Sequence, residues 1–164
     1  MLTLLTVGLL TVGLVAGCTG SSDEPAPAAT GPVPAPPPAS LPPAAAAACA
    51  DLLAALPGEL DPGVRRRPVE GDDPRAAAWG DPAVVLLCGV PRPDRPDEPA
   101  SVNGVLWSVR DVGAGFLWTT SELGVAVSVE VPDAYDNPAE LVNPLAEPLR
   151  STLPGPSPSP AAGS

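Results

Sequence analysis

The sequence predicts a single α+β domain, in which a mostly antiparallel sheet of four to five strands packs against an N-terminal helix and a kinked C-terminal helix. Three observations predict it: helical spacing of apolar residues over 44–56, an apolar run at 83–88 between Gly and Pro, and strict alternation over 105–131. A chain of 164 residues is long enough for one such domain with appendages.

Residues 44–56 form the predicted N-terminal helix, because they are rich in strong helix formers. Its apolar stripe consists of Cys49, Leu52, Leu53 and Leu56. These positions follow the i, i+3, i+4, i+7 pattern of an amphipathic helix. Pro57 and Gly58 end the helix.

Five segments carry strand signals. Residues 64–69 predict a short edge strand, since charge and proline protect a sheet edge. The run within Trp79–Pro93 predicts a strand covered on both faces, hence central. Three more segments alternate with period two, which indicates half-buried antiparallel strands. The residues that share a face are Val105, Trp107 and Val109 in the first segment, Phe116, Trp118 and Thr120 in the second, and Val125, Val127, Val129 and Val131 in the third.

Loops and the C-terminal helix complete the domain. Residues 70–75 and 91–101 are dense in charge and in Pro or Gly, and are interpreted as loops. Asn137 and Pro138 resemble a helix cap and first position. Pro144 and Pro148 lie inside the following apolar pattern, so the helix is expected to kink or restart at Asn143.

The first seventeen residues are interpreted as a signal peptide. Residues 2–16 are an apolar segment of fifteen, short for a membrane-spanning helix of about 20 residues. The segment runs into Leu14-Val15-Ala16-Gly17-Cys18, which resembles the lipobox of bacterial lipoproteins. That resemblance implies cleavage before Cys18 and a diacylglycerol on its sulfur. The alternative is an uncleaved anchor or a buried helix. No Lys or Arg precedes the segment, which predicts an upstream start codon or a trimmed N-terminus.

The predicted organisation is a signal peptide at 1–17, a lipidated cysteine and Pro/Ala-rich tether at 18–43, one domain at 44–153, and a disordered tail at 154–164. The tether cannot form a core, and in a polyproline conformation it reaches several tens of ångströms. Two acyl chains hold stably in a membrane, so the expected location is the outer face of the cytoplasmic membrane.

Composition excludes several functions. The net charge of −11 argues against a nucleic-acid partner, because phosphate binding needs clustered cations. The chain contains no histidine, which removes the commonest general base, the commonest metal ligand and every Ser-His or Cys-His nucleophile. The five loop carboxylates singled out are Asp72, Asp73, Asp81, Asp94 and Asp97. They lack calcium-loop spacing, so no metal, cofactor or catalytic residue is expected.

The three cysteines predict one disulfide. Lipidation takes Cys18 and leaves Cys49 and Cys88, an even pair in an oxidising compartment. A Cys49–Cys88 bond would join the first helix to the central strand. The alternative is two separate buried thiols.

Trp79 and the stretch Arg65-Arg66-Arg67 are the candidate ligand or partner contacts. A tryptophan in a turn is expected to be partly exposed, although capping the sheet edge is a simpler role for Trp79. The arginines are suited to phosphate groups on lipids or wall polymers, but a solvated edge strand is the more common reading. Trp107 and Trp118 alternate with apolar residues, which favours the core over a ligand platform.

The domain resembles an uncharacterised family of actinobacterial lipoproteins. The resemblance rests on residues 48–57, on a Trp-Gly-Asp-Pro…Cys-Gly-Val-Pro motif within Trp79–Pro93, and on residues 102–107. It covers about residues 44–152. It implies a location in the cell envelope and no established activity.

These observations predict a membrane-anchored envelope lipoprotein that acts as a non-enzymatic binding or accessory module. Its expected partners are the membrane, through the lipid on Cys18, and an envelope protein or wall polymer. The alternative is a carboxylate-dependent enzyme that acts on cell-wall polymers, which would need two convergent carboxylates in a cleft.

Overall fold

A computed structural model describes residues 32–34, 36–37, 39–94 and 97–155 of the chain, without the side chain of Asp72. The predicted signal peptide, Cys18, the first part of the tether and most of the predicted tail lie outside these residues. The described chain is α+β, as predicted. The strands are β1 (Arg66–Arg67), β2 (Ala76–Trp79), β3 (Val84–Cys88), β4 (Glu98–Val102), β5 (Val105–Asp111), β6 (Gly115–Thr120) and β7 (Val127–Pro132). The helices are α1 (Pro43–Ala55), α2 (Pro138–Val142) and α3 (Ala146–Thr152).

The strands form one antiparallel sheet in the order β1-β2-β3-β7-β6-β5-β4. The sheet has seven strands, so the expectation of four to five is wrong. The two that were missed are β2 and β4. Three alanines begin β2, and alanine is a weak strand former. The charged Glu98 and Pro99 of β4 are residues typical of loops, so the sequence predicted a loop there.

The Asn103-Gly104 turn explains why β4 is a strand. Asn103 and Gly104 have φ values of 45° and 79°, the left-handed conformations of a two-residue hairpin turn. The turn pairs Val102 with Val105 and lays β4 on β5. Hydrogen-bonded and non-hydrogen-bonded residue pairs alternate along the hairpin, starting from the Val102–Val105 pair. The backbone nitrogen of Pro99 therefore points away from β5, on the side where β4 needs no hydrogen-bond donor. Pro99 therefore blunts this edge of the sheet against further strand pairing.

The three helices pack on one face of the sheet, here called the helix face. It carries Leu86, Cys88 and Val129, all fully buried. Cys49 of α1 and Cys88 of β3 form a disulfide with a Cα–Cα distance of 5.7 Å. The predicted disulfide is therefore confirmed, and it joins α1 to the sheet.

The C-terminal helix breaks where the sequence predicted. A 3-10 turn at Asn143–Leu145 separates α2 from α3, because Pro144 cannot continue the α-helical hydrogen bonds. Leu141, Leu145 and Leu149 are nevertheless all buried in the core. The break thus preserves the apolar stripe across both helices. Among the described residues, no helix has the length and apolar content needed to cross a membrane.

Val33, Pro37 and Leu41, placed in the tether by the sequence, lie against the domain. Val33 forms an isolated parallel bridge with Val69, donating its N–H to Pro68 O at 2.9 Å and accepting from Glu70 N at 2.8 Å. The buried guanidinium of Arg75 donates to Pro37 O at 3.0 Å and pairs with Asp73. These contacts attach the end of the predicted tether to the sheet edge, upstream of α1.

Candidate functional site

Arg66 and Trp79 lie together, as direct partners across β1 and β2. The Arg66 guanidinium sits 4.9 Å from the centre of the Trp79 ring, a cation–π contact. The Trp79 indole N–H donates to Pro57 O at 2.9 Å, just after α1. Trp79 is fully buried at the end of β2, so the expected partly exposed indole is wrong. Burial also lowers the pKa of Arg66 below its ordinary value.

The neighbouring arginines also have partners within the domain. Arg67 donates to Gly80 O at 2.8 Å and approaches Asp81 at 3.5 Å. Arg65 is mostly exposed and lies 3.6 Å from Glu59. The predicted edge strand is confirmed for Arg66 and Arg67, which form β1 at the edge of the sheet but are half-buried rather than solvated. The contacts of Arg66 and Arg67 tie β1 to the Trp-Gly-Asp-Pro turn.

Tyr135, which follows strand β7 in the chain, contacts the same turn. Its hydroxyl donates to Pro82 O at 2.7 Å. Gly80 has a φ of 68°, and a side chain there would collide with the Tyr135 hydroxyl and with Val64. Glycine is thus required at position 80 both by conformation and by close approach. The Trp-Gly-Asp-Pro motif therefore has a structural role: Trp79 ends β2, and Gly80, Asp81 and Pro82 form the turn to β3.

Tyr135 is expected to titrate above the ordinary tyrosine value of about 10. Burial raises the pKa of Tyr135, and the negative charge of Asp81 raises it further, while Arg67 opposes the rise. The neutral phenol therefore stabilises the fold at lower pH, and this stabilisation is lost as pH rises through the folded-state pKa. The chain contains one tyrosine, so its ultraviolet titration reports this group alone.

Asp81→Asn should move the pKa of Tyr135 part of the way back, because burial, the larger cause, remains. Asp133→Asn is the matched control, since Asp133 is exposed, lies two residues from Tyr135 and does not contribute to its shift. A Tyr135 pKa at or below that of the unfolded chain would contradict the hydrogen-bonded geometry.

A concave region lies toward the other end of the sheet from Trp79. One row of paired residues crosses five strands of the helix face, and burial decreases along it. The row is Leu86, Val129, Trp118, Val109 and Glu98. Leu86 and Val129 are fully buried, Trp118 is 6% exposed, Val109 is half-buried and Glu98 is exposed. The hydrophobic core therefore runs out to the surface and ends at a carboxylate.

This region, here called the Trp118 groove, is lined by Glu98, Ala100, Val109, Phe116, Trp118 and Pro138. Its volume is about 220 Å³, smaller than the ~300–1,000 Å³ of most small-molecule sites. Phe116 is 38% exposed, one of three large apolar side chains exposed in the described part of the chain. Asp111 pairs directly with Phe116 and so shares its face. The groove thus combines an aromatic wall with the carboxylate of Glu98, while Asp111, whose Oδ1 accepts from Gly113 N at 2.7 Å, lies on the same face outside the lining.

Trp107 packs beside Trp118, which lines the groove. Their ring centres are 6.1 Å apart and the planes are nearly perpendicular, a favourable edge-to-face arrangement. Both indoles are buried, which confirms their predicted core role. Among the described residues, neither indole N–H has a hydrogen-bond partner. Trp118 therefore serves the core and also lines the groove.

The sequence did not predict the groove, because its lining residues come from four elements that are separate in the sequence. The missed strand β4 supplies Glu98 and Ala100, and α2 supplies Pro138. One signal was available: the Asn-Gly pair between Val102 and Val105 is a strong hairpin indicator. Extending that hairpin places Glu98 opposite Val109.

The described residues contain no cluster of three or more Cys, Asp or Glu side chains arranged to hold a metal ion.

The structure is that of a small α+β domain with a disulfide between helix and sheet. A family model described as "Protein of unknown function (DUF3515)" matches residues 2–157, and the chain belongs to that family. No curated protein and no solved structure matches the chain.

Proposed function

We propose that the protein is a lipid-anchored module of the cell envelope, which binds a partner without chemical conversion. The observation that carries the proposal is the Trp118 groove. Phe116 and Val109 leave apolar surface accessible beside a buried tryptophan, and partner-binding surfaces are enriched in such aromatic residues. Trp79 and the arginines, in contrast, are engaged in holding the domain together.

The anchoring half of the proposal rests on the sequence at Cys18 and on the disulfide. Disulfides persist in oxidising compartments, and Cys49–Cys88 suits a domain outside the cytoplasm. A diacylated Cys18 would hold the chain at the outer face of the cytoplasmic membrane.

A photocrosslinking residue placed at Phe116 tests the binding function in the native envelope. We expect a discrete adduct from position 116. Position 106 is the matched control, because Leu106 is similarly exposed (42%) and points to the opposite face of β5. Equal adducts from both positions, or none from position 116, would refute binding through the groove. Release of soluble fragments from wall polymers by the purified protein would instead favour the enzymatic alternative.

Metabolic labelling of the cells that express the protein tests the lipid anchor at Cys18. Radiolabelled palmitate should enter the protein, and Cys18→Ala should abolish the label while leaving the domain folded. A Cys18→Ala protein that still takes up label would refute lipidation at this residue.

A further inference from the structure

We propose that the Trp118 groove is a binding pocket for a single arginine side chain, presented by a basic segment of an envelope protein. This inference rests on the proposed binding function and names the chemistry of the ligand. It follows from the size of the groove, its aromatic wall and the sign of the charges around it.

Size selects one long side chain. The groove holds about 220 Å³, less than a typical small-molecule site. Neighbouring strands are ~4.8 Å apart, so Glu98 and Trp118, separated by β5, lie roughly 10 Å apart at the backbone. Val109 forms the floor between them. A side chain laid along this row contacts aromatic surface at one end and a carboxylate at the other.

The charges select a cation. Glu98 lines the groove, and Asp111 lies on the same face beside Phe116. Arg110, the neighbouring cation on β5, belongs to the opposite face and lies 4.0 Å from Asp97. In the described part of the chain, the lining of the groove carries a carboxylate and no arginine. The net charge of −11 adds a long-range attraction for a basic partner.

Aromatic walls distinguish arginine from lysine. A planar guanidinium stacks on aromatic rings, is more weakly hydrated than an ammonium and pairs with a carboxylate through two parallel hydrogen bonds. The domain already uses such a contact once, where Arg66 covers Trp79. At Trp118 and Phe116 the aromatic surface faces the groove, where a partner's arginine takes the corresponding position.

Three peptides test the proposal: Gly-Gly-Arg-Gly-Gly, the same sequence with lysine, and the same sequence with citrulline, which keeps the shape of arginine without its charge. The full chain carrying Cys18→Ala is titrated, and the indole N–H signals are followed by NMR. The three tryptophans give an internal reference, because Trp79 lies at the other end of the sheet. We expect the arginine peptide to shift Trp118 and its neighbour Trp107 saturably and to leave Trp79 unchanged.

Citrulline should bind about tenfold more weakly, since the cation–π attraction is lost and the hydrogen bond to the carboxylate is no longer charge-assisted, and lysine should lie between the two. Glu98→Gln and Phe116→Ala should each weaken the arginine peptide severalfold. Their matched controls are Glu130→Gln and Leu106→Ala, exposed residues on the opposite face, which should leave affinity unchanged.

Equal affinity for citrulline and arginine, or no shift of Trp118, would overturn the arginine proposal. Trp118 signals that move with protein concentration alone would show a second copy of the chain in the groove and would equally overturn it. If the peptides fail while position 116 still gives its crosslinked adduct, the binding function stands and the ligand class is wrong. If both fail, the groove is not a binding site.

Discussion

Removing the Cys49–Cys88 disulfide is expected to lower the free energy of unfolding by about 4 kcal/mol. The bond closes a loop with a sequence separation of 39, and the chain-entropy model gives this figure for a loop of that length. A typical domain has only ~5–15 kcal/mol of stability, so the reduced protein should unfold at a much lower urea concentration. Comparing oxidised and reduced Cys18→Ala protein by urea denaturation measures the effect.

The two sulfurs are fully buried, so reduction in native buffer should be slow and should accelerate as denaturant opens the domain. Cys49→Ala/Cys88→Ala provides the control, because it removes the crosslink without thiols that could re-form it. Thiol titration of the denatured, unreduced Cys18→Ala protein should find no free thiol. Two titratable thiols would show that the bond is absent.

Trp79→Ala is expected to cost about 3–5 kcal/mol, as large-to-small changes of buried aromatic residues usually do. The indole is fully buried and connects three elements: β2, the Arg66 side chain of β1 and the carbonyl of Pro57 after α1. Removing it leaves a cavity and an unpaired carbonyl together. Equilibrium unfolding in urea, monitored by circular dichroism, measures the loss.

Trp79→Phe separates these contributions, because phenylalanine retains most of the apolar volume and removes the indole donor. Its matched control is Trp107→Phe. Trp107 is equally buried, yet its indole N–H has no partner among the described residues. We expect Trp79→Phe to be more costly than Trp107→Phe by about 1 kcal/mol, the usual net value of one hydrogen bond. Equal costs would show that the bond to Pro57 contributes nothing to stability.

The elements predicted correctly are those with a strong local signal. The stripe of Cys49, Leu52 and Leu56 specified α1, and alternation specified β5, β6 and β7. The even number of cysteines left after assigning Cys18 to lipidation predicted the disulfide. Pro144 predicted the break between α2 and α3. For the helix, the strands and the break, a few neighbouring residues contain the cause, whereas the disulfide prediction rests on a count of cysteines over the whole chain.

Elements that depend on distant pairing were missed. The alanines of β2 have no strand preference of their own and become a strand between β1 and β3. Trp79 was assigned to a turn because Gly80 and Pro82 follow it, yet pairing with Val84 draws it into the sheet. The Trp118 groove needed the register of β4 on β5, which no single segment of the sequence specifies.

The attachment of Val33 to the sheet edge limits how far an anchored domain reaches. If lipid holds Cys18, residues 19–32 are the part of the chain between the anchor and the first contact with the domain. At ~3.1 Å per residue in a polyproline conformation, fourteen residues can span at most about 45 Å, against about 80 Å for a free tether ending at residue 43. The domain would then occupy a shallow shell above the bilayer, with a radius little more than half of that expected from composition. If the anchored protein binds a partner through the Trp118 groove as proposed, that partner would have to enter this shell, which favours short exposed basic segments of membrane proteins over proteins deep in the wall.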